Sequence, residues 1–356
     1  MMNFIRFIGW FVGMVALMGS CVQPFDVENE LDGIRLLVVD GMMTNQKEVY
    51  KVRLTYSSPT LNSYEDTEIS GAQVSITDDS DNQWTLWESE AGVYQTDSCE
   101  WQGEVGKTYT LHILTPDGRR YVSYPETMPP VPDIDSVYFE VEGRPYLSSI
   151  NVEVTAWGLQ IYLNTGSGAS TNGFYRWDWR ETYEYTAPLT TPGQINIPTC
   201  YETNSAYRYL NIASTSELGQ DVVNRQPINY VPKRGRKLSS RYSILIKQYS
   251  LTRQAFDYWE NIKEQIENAG SLFDPPPAQI IGNVYNVDDD TELVLGYFQV
   301  SAVTERRFFI RRGEVPRDPG GPVSAFPDCN APEPAEYCFD CRLFNPFAST
   351  ERPPFW

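Results

Sequence analysis

Between residues 34 and 124, apolar side chains return at every second position in short runs, and turn formers break each run before it grows long. The runs cover 34–39, 49–56, 72–77, 84–87, 93–95, 109–114 and 121–124. Successive strand side chains point to opposite faces, so Tyr109, Leu111 and Ile113 share one face of the sixth run and His112 takes the other. Runs of this kind with turn signals between them specify an all-β fold, here an N-terminal immunoglobulin-like β-sandwich over 32–124. Asp78-Asp79-Ser80-Asp81-Asn82 joins two of the runs; it lacks the glycine and distal glutamate of a calcium loop, so it reads as a hairpin turn.

Four prolines then fall within 125–132, too stiff for a helix and too poor in donors for a central strand. The segment 125–133 is therefore the expected linker to a larger β-rich domain over 134–315. Its expected strands are 137–141, 152–157, 159–163, 174–185, 242–249, 293–303 and 307–310, with 186–232 read as irregular loops. One helix is expected over 251–269, where Leu251, Ala255, Trp259, Ile262 and Ile266 form a single apolar stripe ahead of Gly270. A Cys- and Pro-rich tail, 316–356, closes a mainly β chain.

The amino terminus reads as an export signal. Residues 7–19 are uncharged and mostly apolar, the length of a signal-peptide core and too short for a membrane span. They end in Leu17-Met18-Gly19-Ser20-Cys21, which resembles the lipobox cut by lipoprotein signal peptidase, and this marks 1–20 as the signal and Cys21 as the lipidated residue. Acyl chains on one residue hold a protein at a bilayer, each buried CH₂ contributing about 0.8 kcal/mol. Residues 21–31, with Asp26, Glu28, Glu30 and no base, read as an acidic tether.

An exported chain meets an oxidising compartment, so Cys200, Cys329, Cys338 and Cys341 are expected in disulfides that tie down the tail, with Cys99 left over. Cys338-Phe339-Asp340-Cys341 has the spacing of a zinc knuckle, but the chain's single histidine, His112, leaves it without the further ligands such a site needs.

With 28 Lys and Arg against 47 Asp and Glu, the net charge of −19 disfavours nucleic acid and anionic lipid. The exception is Lys233-Arg234-Gly235-Arg236-Lys237, which reads as a solvated basic loop or as a receiver for an anionic partner. The most unusual stretch is 174–185. There Tyr175, Trp177, Trp179, Tyr183 and Tyr185 alternate onto one face, either as core or as a row that stacks on ligand rings, and Arg176, Asp178, Arg180 and Glu184 take the other. One histidine nearly excludes catalytic triads and histidine-rich metal sites, and no phosphate or dinucleotide fingerprint is present. The reading is a non-enzyme without cofactor or metal.

Val38-Val39-Asp40-Gly41, Gly71-Ala72-Gln73-Val74, Gly106 to Leu111, Met128 to Ser136, Arg241 to Ser250, Gly270 to Asp274, Gly282-Asn283, Gly296-Tyr297-Phe298, Cys338 to Cys341 and Pro353 to Trp356 occur in order. Together with the lipobox they resemble the domain-of-unknown-function 4249 lipoproteins of Bacteroidetes. The resemblance implies an outer-membrane lipoprotein, cell-surface exposed and acting as an accessory or substrate-capture partner of a TonB-dependent (SusC-type) transporter. The alternative is a free-standing glycan-binding or adhesive surface protein that uses Tyr175, Trp177 and Trp179.

Overall fold

The structure is a computed structural model that describes residues 35–57, 67–97, 101–166, 173–190, 198–206, 210–215, 222–268, 280–323 and 325–356. The expected signal, Cys21, the tether, Cys99 and Gly270 lie outside the described residues. In chain order the first strands are β1 (Leu37–Thr44), β2 (Lys51–Tyr56), β3 (Thr67–Glu68), β4 (Gln73–Asp78), β5 (Gln83–Glu90), β6 (Val93–Gln95), β7 (Thr108–Leu114), β8 (Arg120–Ser123) and β9 (Glu126–Thr127). There follow β10 (Ile134–Leu147), β11 (Glu153–Thr165), β12 (Phe174–Thr186), β13 (Thr199–Ser205), β14 (Asn211–Ser214), β15 (Val223–Pro232) and β16 (Arg241–Leu251). The helix α1 (Arg253–Asn268) precedes β17 (Val284–Asn286), β18 (Val294–Ser301) and β19 (Val303–Arg311).

The chain is mainly β, with one α-helix among the described residues. In the first unit the strands run in the order β17-β8-β7-β4-β5-β6-β2-β1-β18. The first half of β5 pairs with β4 and its second half with β6, so this one strand joins two layers. Leu37, Val39 and Leu54 from one layer meet Val74, Ile76, Leu111 and Ile113 from the other in a single buried cluster. Period-two burial along β7 follows the sequence pattern, with Tyr109, Leu111 and Ile113 inside. The Asp78–Asn82 segment is a hairpin turn: Asp78 Oδ1 accepts from the backbone N–H of Ser80 and of Asn82, both at 2.9 Å, and Asp81 adopts φ +62.

One strand expected in the larger domain, 293–303, supplies β18 to the first unit, and β17, which the sequence did not mark, joins it there. β18 pairs in parallel with β1 over its whole length, and β17 pairs with β8, so the first sheet takes in strands from within the expected 134–315 span. Backbone packing explains the return. A Cβ on Gly282 would sit 1.6 Å from the carbonyl oxygen of Gly296, and one on Gly296, at φ +86, would sit 2.0 Å from that of Val39. Only glycine tolerates both the conformation and the approach. Between them Asn283 accepts from the Phe298 N–H at 2.8 Å and donates to its carbonyl at 2.9 Å, imitating a ladder partner.

The larger unit is a second pair of sheets, β10-β11-β15 against β13-β12-β16-β19, with β14 added on β12. The segment 186–232, expected as loops, holds β13, β14 and β15. β15 is an edge strand carrying Pro227, and its register against β11 slips beside that proline, which is where an edge tolerates a missing donor and where an alternating pattern is lost. The helix starts at Arg253, later than expected, because Leu251 completes β16 and Thr252 caps α1, its hydroxyl accepting from the Ala255 N–H at 3.1 Å. Ala255 and Phe256 pack against Ile212, Leu251 and Tyr297, while Ile266 at the far end of the stripe is exposed.

The proline-rich linker is stitched to both units. Glu126 and Thr127 pair with β7, Met128 is buried, and the carbonyls of Pro129 and Pro132 accept from Ser250 Oγ and Gln248 Nε2 at 2.7 and 2.8 Å. Buried Glu126 accepts from Asn283 Nδ2 at 3.3 Å and from the Tyr297 hydroxyl. Burial lifts its carboxyl above the ordinary 4.5, although hydrogen bonds from Tyr297, Thr252 and Asn283 pull the other way. A raised carboxyl stabilises the fold fully below its unfolded value, and that contribution is lost as pH rises through the folded value. Glu126→Gln is therefore expected to raise the melting midpoint at neutral pH and leave it unchanged in acid. A midpoint lowered at neutral pH in thermal scans across that range would show that the ionised carboxylate is needed.

Candidate functional site

The aromatic row on β12 is core. Tyr175, Trp177, Trp179, Tyr183 and Tyr185 are all buried and lie in one cluster with Leu159 and Ile161 of the facing sheet, so none offers a ring face to a ligand. Trp177 Nε1 donates to Gln248 Oε1 at 2.8 Å, and Gln248 Nε2 passes the bond on to Thr165 Oγ1 at 2.9 Å. Glu181 occupies the same face, a feature the row of aromatics hid. This buried carboxylate accepts from the Tyr242 hydroxyl at 2.8 Å, from Asn229 Nδ2 at 3.2 Å and from Asn204 Nδ2 at 3.3 Å, and pairs with Lys237. Burial, with Glu181 beside it, holds the Tyr242 hydroxyl well above its ordinary value. A buried charge that is paired and hydrogen-bonded on this scale positions strands and leaves no free group for chemistry.

Cys200 of β13 and the three tail cysteines pair as Cys200–Cys341 and Cys329–Cys338. The two cysteines of Cys338-Phe339-Asp340-Cys341 therefore go to different partners, and no group of three or more metal-binding side chains exists among the described residues. Three of the four bases in the basic cluster are engaged within the fold. Buried Lys233 donates to the carbonyls of Arg317, Pro319 and Gly321 at 3.1, 2.8 and 3.0 Å, which pins the start of the tail to β15. Arg236 pairs with Glu202 at 2.9 Å and Lys237 with Glu181, leaving Arg234 as the exposed base. Burial works against the charged form of Glu202, yet hydrogen bonds from Tyr183 and Arg236 outweigh it and hold its carboxyl below the ordinary value. His112 Nε2 lies 2.9 Å from Thr77 Oγ1 on the outer face of β4 and β7, and burial pulls its ring below the ordinary value.

The remaining face is the outer side of β12, β16 and β19. Its two ends are covered. At one end Arg307 lies 3.6 Å over the ring of Phe355 and Arg241 5.1 Å over that of Trp356, whose indole N–H donates to Glu184 Oε2 at 2.7 Å. At the other, buried Arg176 lies 4.5 Å over Trp259 of α1 and 5.0 Å over Tyr249, and its Nη2 lies 3.6 Å from Met42 of the first unit. Between the two coverings a groove of about 510 Å³ stays open, lined by Asp178, Arg180, Leu245, Lys247, Tyr249 and Glu305 among others. Strand register places Asp178, Lys247 and Glu305 in one row across the three strands and Arg180, Leu245 and Arg307 in the next. Asp178 and Arg180 were visible in the sequence as the polar face of β12. Lys247 and Glu305 were not, because nothing local ties them to it.

The model of a domain of unknown function (DUF4249) matches residues 22–307. The chain belongs to the DUF4249 family. No curated protein matches its sequence. The stretches that carried the resemblance to DUF4249 sort by place: Val38 to Gly41, Gly282-Asn283 and Gly296 to Phe298 form the close backbone crossing of β1 and β18. Met128 to Pro132 and Gln248 to Ser250 form the stitch between the units. Cys338 to Cys341 and the terminal Pro353 to Trp356 lie beyond the matched residues.

Proposed function

We propose that this DUF4249 protein is a non-catalytic outer-membrane lipoprotein, anchored through Cys21 on the cell surface, that serves as an accessory or substrate-capture partner of a TonB-dependent transporter, with an immunoglobulin-like first unit. The observation that carries the reading is the β10–β11 hairpin. Its base is held by β15, which pairs with β11 from Gly158 to Thr165, and beyond Trp157 the two strands pair, among the described residues, only with each other. The tip is ordered by the Ser148 N–H, which donates to the Val152 carbonyl at 2.9 Å, and by Asn151 at φ +55. Ile150 is 78% exposed and Leu147 68%, and Tyr146 and Val152 are exposed beside them. Water is a poor neighbour for such a cluster, and a rigid two-stranded arm that presents it suits docking to another protein.

The glycan-binding alternative loses the support of the Tyr175, Trp177 and Trp179 row, which is buried. Replacing both tip residues, Leu147→Asp with Ile150→Asp, is expected to leave the melting midpoint unchanged and to abolish co-purification of a transporter from native outer membranes in mild detergent. Wild-type protein that brings down no transporter at native abundance overturns the partnership. A double variant that still retains one removes the hairpin from it.

A further inference from the structure

The outer-face groove of the larger unit has a chemistry that the partnership does not use, and it deepens the capture reading on which it rests. Arg180 and Glu305 make no ion pair among the described residues, and Lys247 donates to Gln46 Oε1 at 3.2 Å without reaching either acid of its own row. Asp178 keeps a contact of 3.5 Å to Arg176 and remains partly exposed. Adjacent strands put these groups side by side, where exposed opposite charges usually close on one another at little cost. Here they stand open around Leu245 and Tyr249 in a groove of ligand size. Arg307, in the same row as Arg180, is out of use: burial is the main cause that pulls it below its ordinary value, Phe355 covers it, and its Nη1 donates to Ser243 at 3.0 Å.

We propose that this groove binds a short peptide whose two termini are both free. Its ammonium meets Glu305 and its carboxylate meets Arg180, at opposite corners of the two rows. Glu305 and Arg180 stand two strands and one row apart, a diagonal of roughly 12 Å, which an extended three-residue peptide of about 10 Å spans with the reach of the two side chains. Side chains of the peptide rest on Leu245. A saccharide fits this face poorly, because rings stack on exposed aromatic faces and both aromatics at the groove, Trp179 and Tyr249, are buried. Recognition by exposed charges also implies an affinity that falls as salt rises.

Calorimetry on the purified protein tests the idea without any transporter, so its outcome is independent of the co-purification result. The probes are trialanine with free termini, the same peptide acetylated and amidated, and a neutral trisaccharide. Trialanine is expected to bind, the capped peptide and the sugar not. Arg180→Gln and Glu305→Gln, both at exposed positions with no ion-pair partner among the described residues, are each expected to weaken binding by about tenfold or more, the effect of removing one charge-assisted hydrogen bond, at an unchanged melting midpoint. No binding of trialanine, equal binding of the capped peptide, binding of the sugar alone, or variants that bind as wild type would each overturn the assignment.

Discussion

Trp177→Ala is expected to unfold the larger unit at temperatures where the wild type is native. Trp177 has no exposed surface, sits between Tyr175 and the facing sheet, and bonds Gln248, which in turn holds Thr165 and the carbonyl of Pro132. Truncating a buried Trp costs about 3–5 kcal/mol through lost transfer energy and the cavity left behind. The orphaned Gln248 oxygen adds about 1–3 kcal/mol. Against a typical domain stability of about 5–15 kcal/mol, that sum removes much or all of the margin. Circular dichroism melts of wild type, Trp177→Ala and Trp177→Phe check it. An alanine variant that melts with the wild type would return the row to the surface and reopen the stacking reading. Because Gln248 also reaches the linker, the variant is expected to loosen the contact between the units as well as the core.

Separating Cys200 from Cys341 is expected to have the second largest effect. The bond spans 141 residues, and in the chain-entropy account a loop of that length stabilises the fold by about 5 kcal/mol. Cys329–Cys338 spans 9 residues, for which the same account gives about 3 kcal/mol. The longer bond also anchors Phe344, which packs on Tyr185 and so brings the tail into the main core. Unfolding midpoints in denaturant for the Cys200→Ser with Cys341→Ser pair, and for the Cys329→Ser with Cys338→Ser pair, are expected to fall in that order. Equal losses would mean that local packing, and not the crosslink between β13 and the tail, sets the difference.

Both predictions concern residues that the sequence singled out, and the two cases differ in what it supplied. Alternation along β7 and β12 determined which side chains share a face, because a strand has a period of two whatever surrounds it. It therefore placed Tyr109, Leu111 and Ile113 inside and made one sheet face of Tyr175 to Tyr185. It determined the Asp78 turn and the presence of α1 for the same reason, each resting on groups close in sequence, while the membership of four cysteines in disulfides followed from the expected export. Whether the β12 row was core or platform depended on a second sheet, and β15 within that sheet was hidden by Pro227 and a slipped register.

Only the tertiary structure decided the rest, since each decision is a choice of partner made across the chain. Which cysteine meets which depended on β13 lying beside the tail. Whether Lys233, Arg236 and Lys237 stay free depended on Glu202, Glu181 and three carbonyls near residue 319, all distant in sequence. The return of β18 to β1 depended on glycines whose missing Cβ atoms matter only once two backbones touch. The outer-face groove depended on where Trp259 and Phe355 come to rest. A linear pattern carries the period of an element and the residues that punctuate it. The energy of a buried charge, a crosslink or a close backbone contact belongs to pairs, and pairs exist only after the sheets have packed.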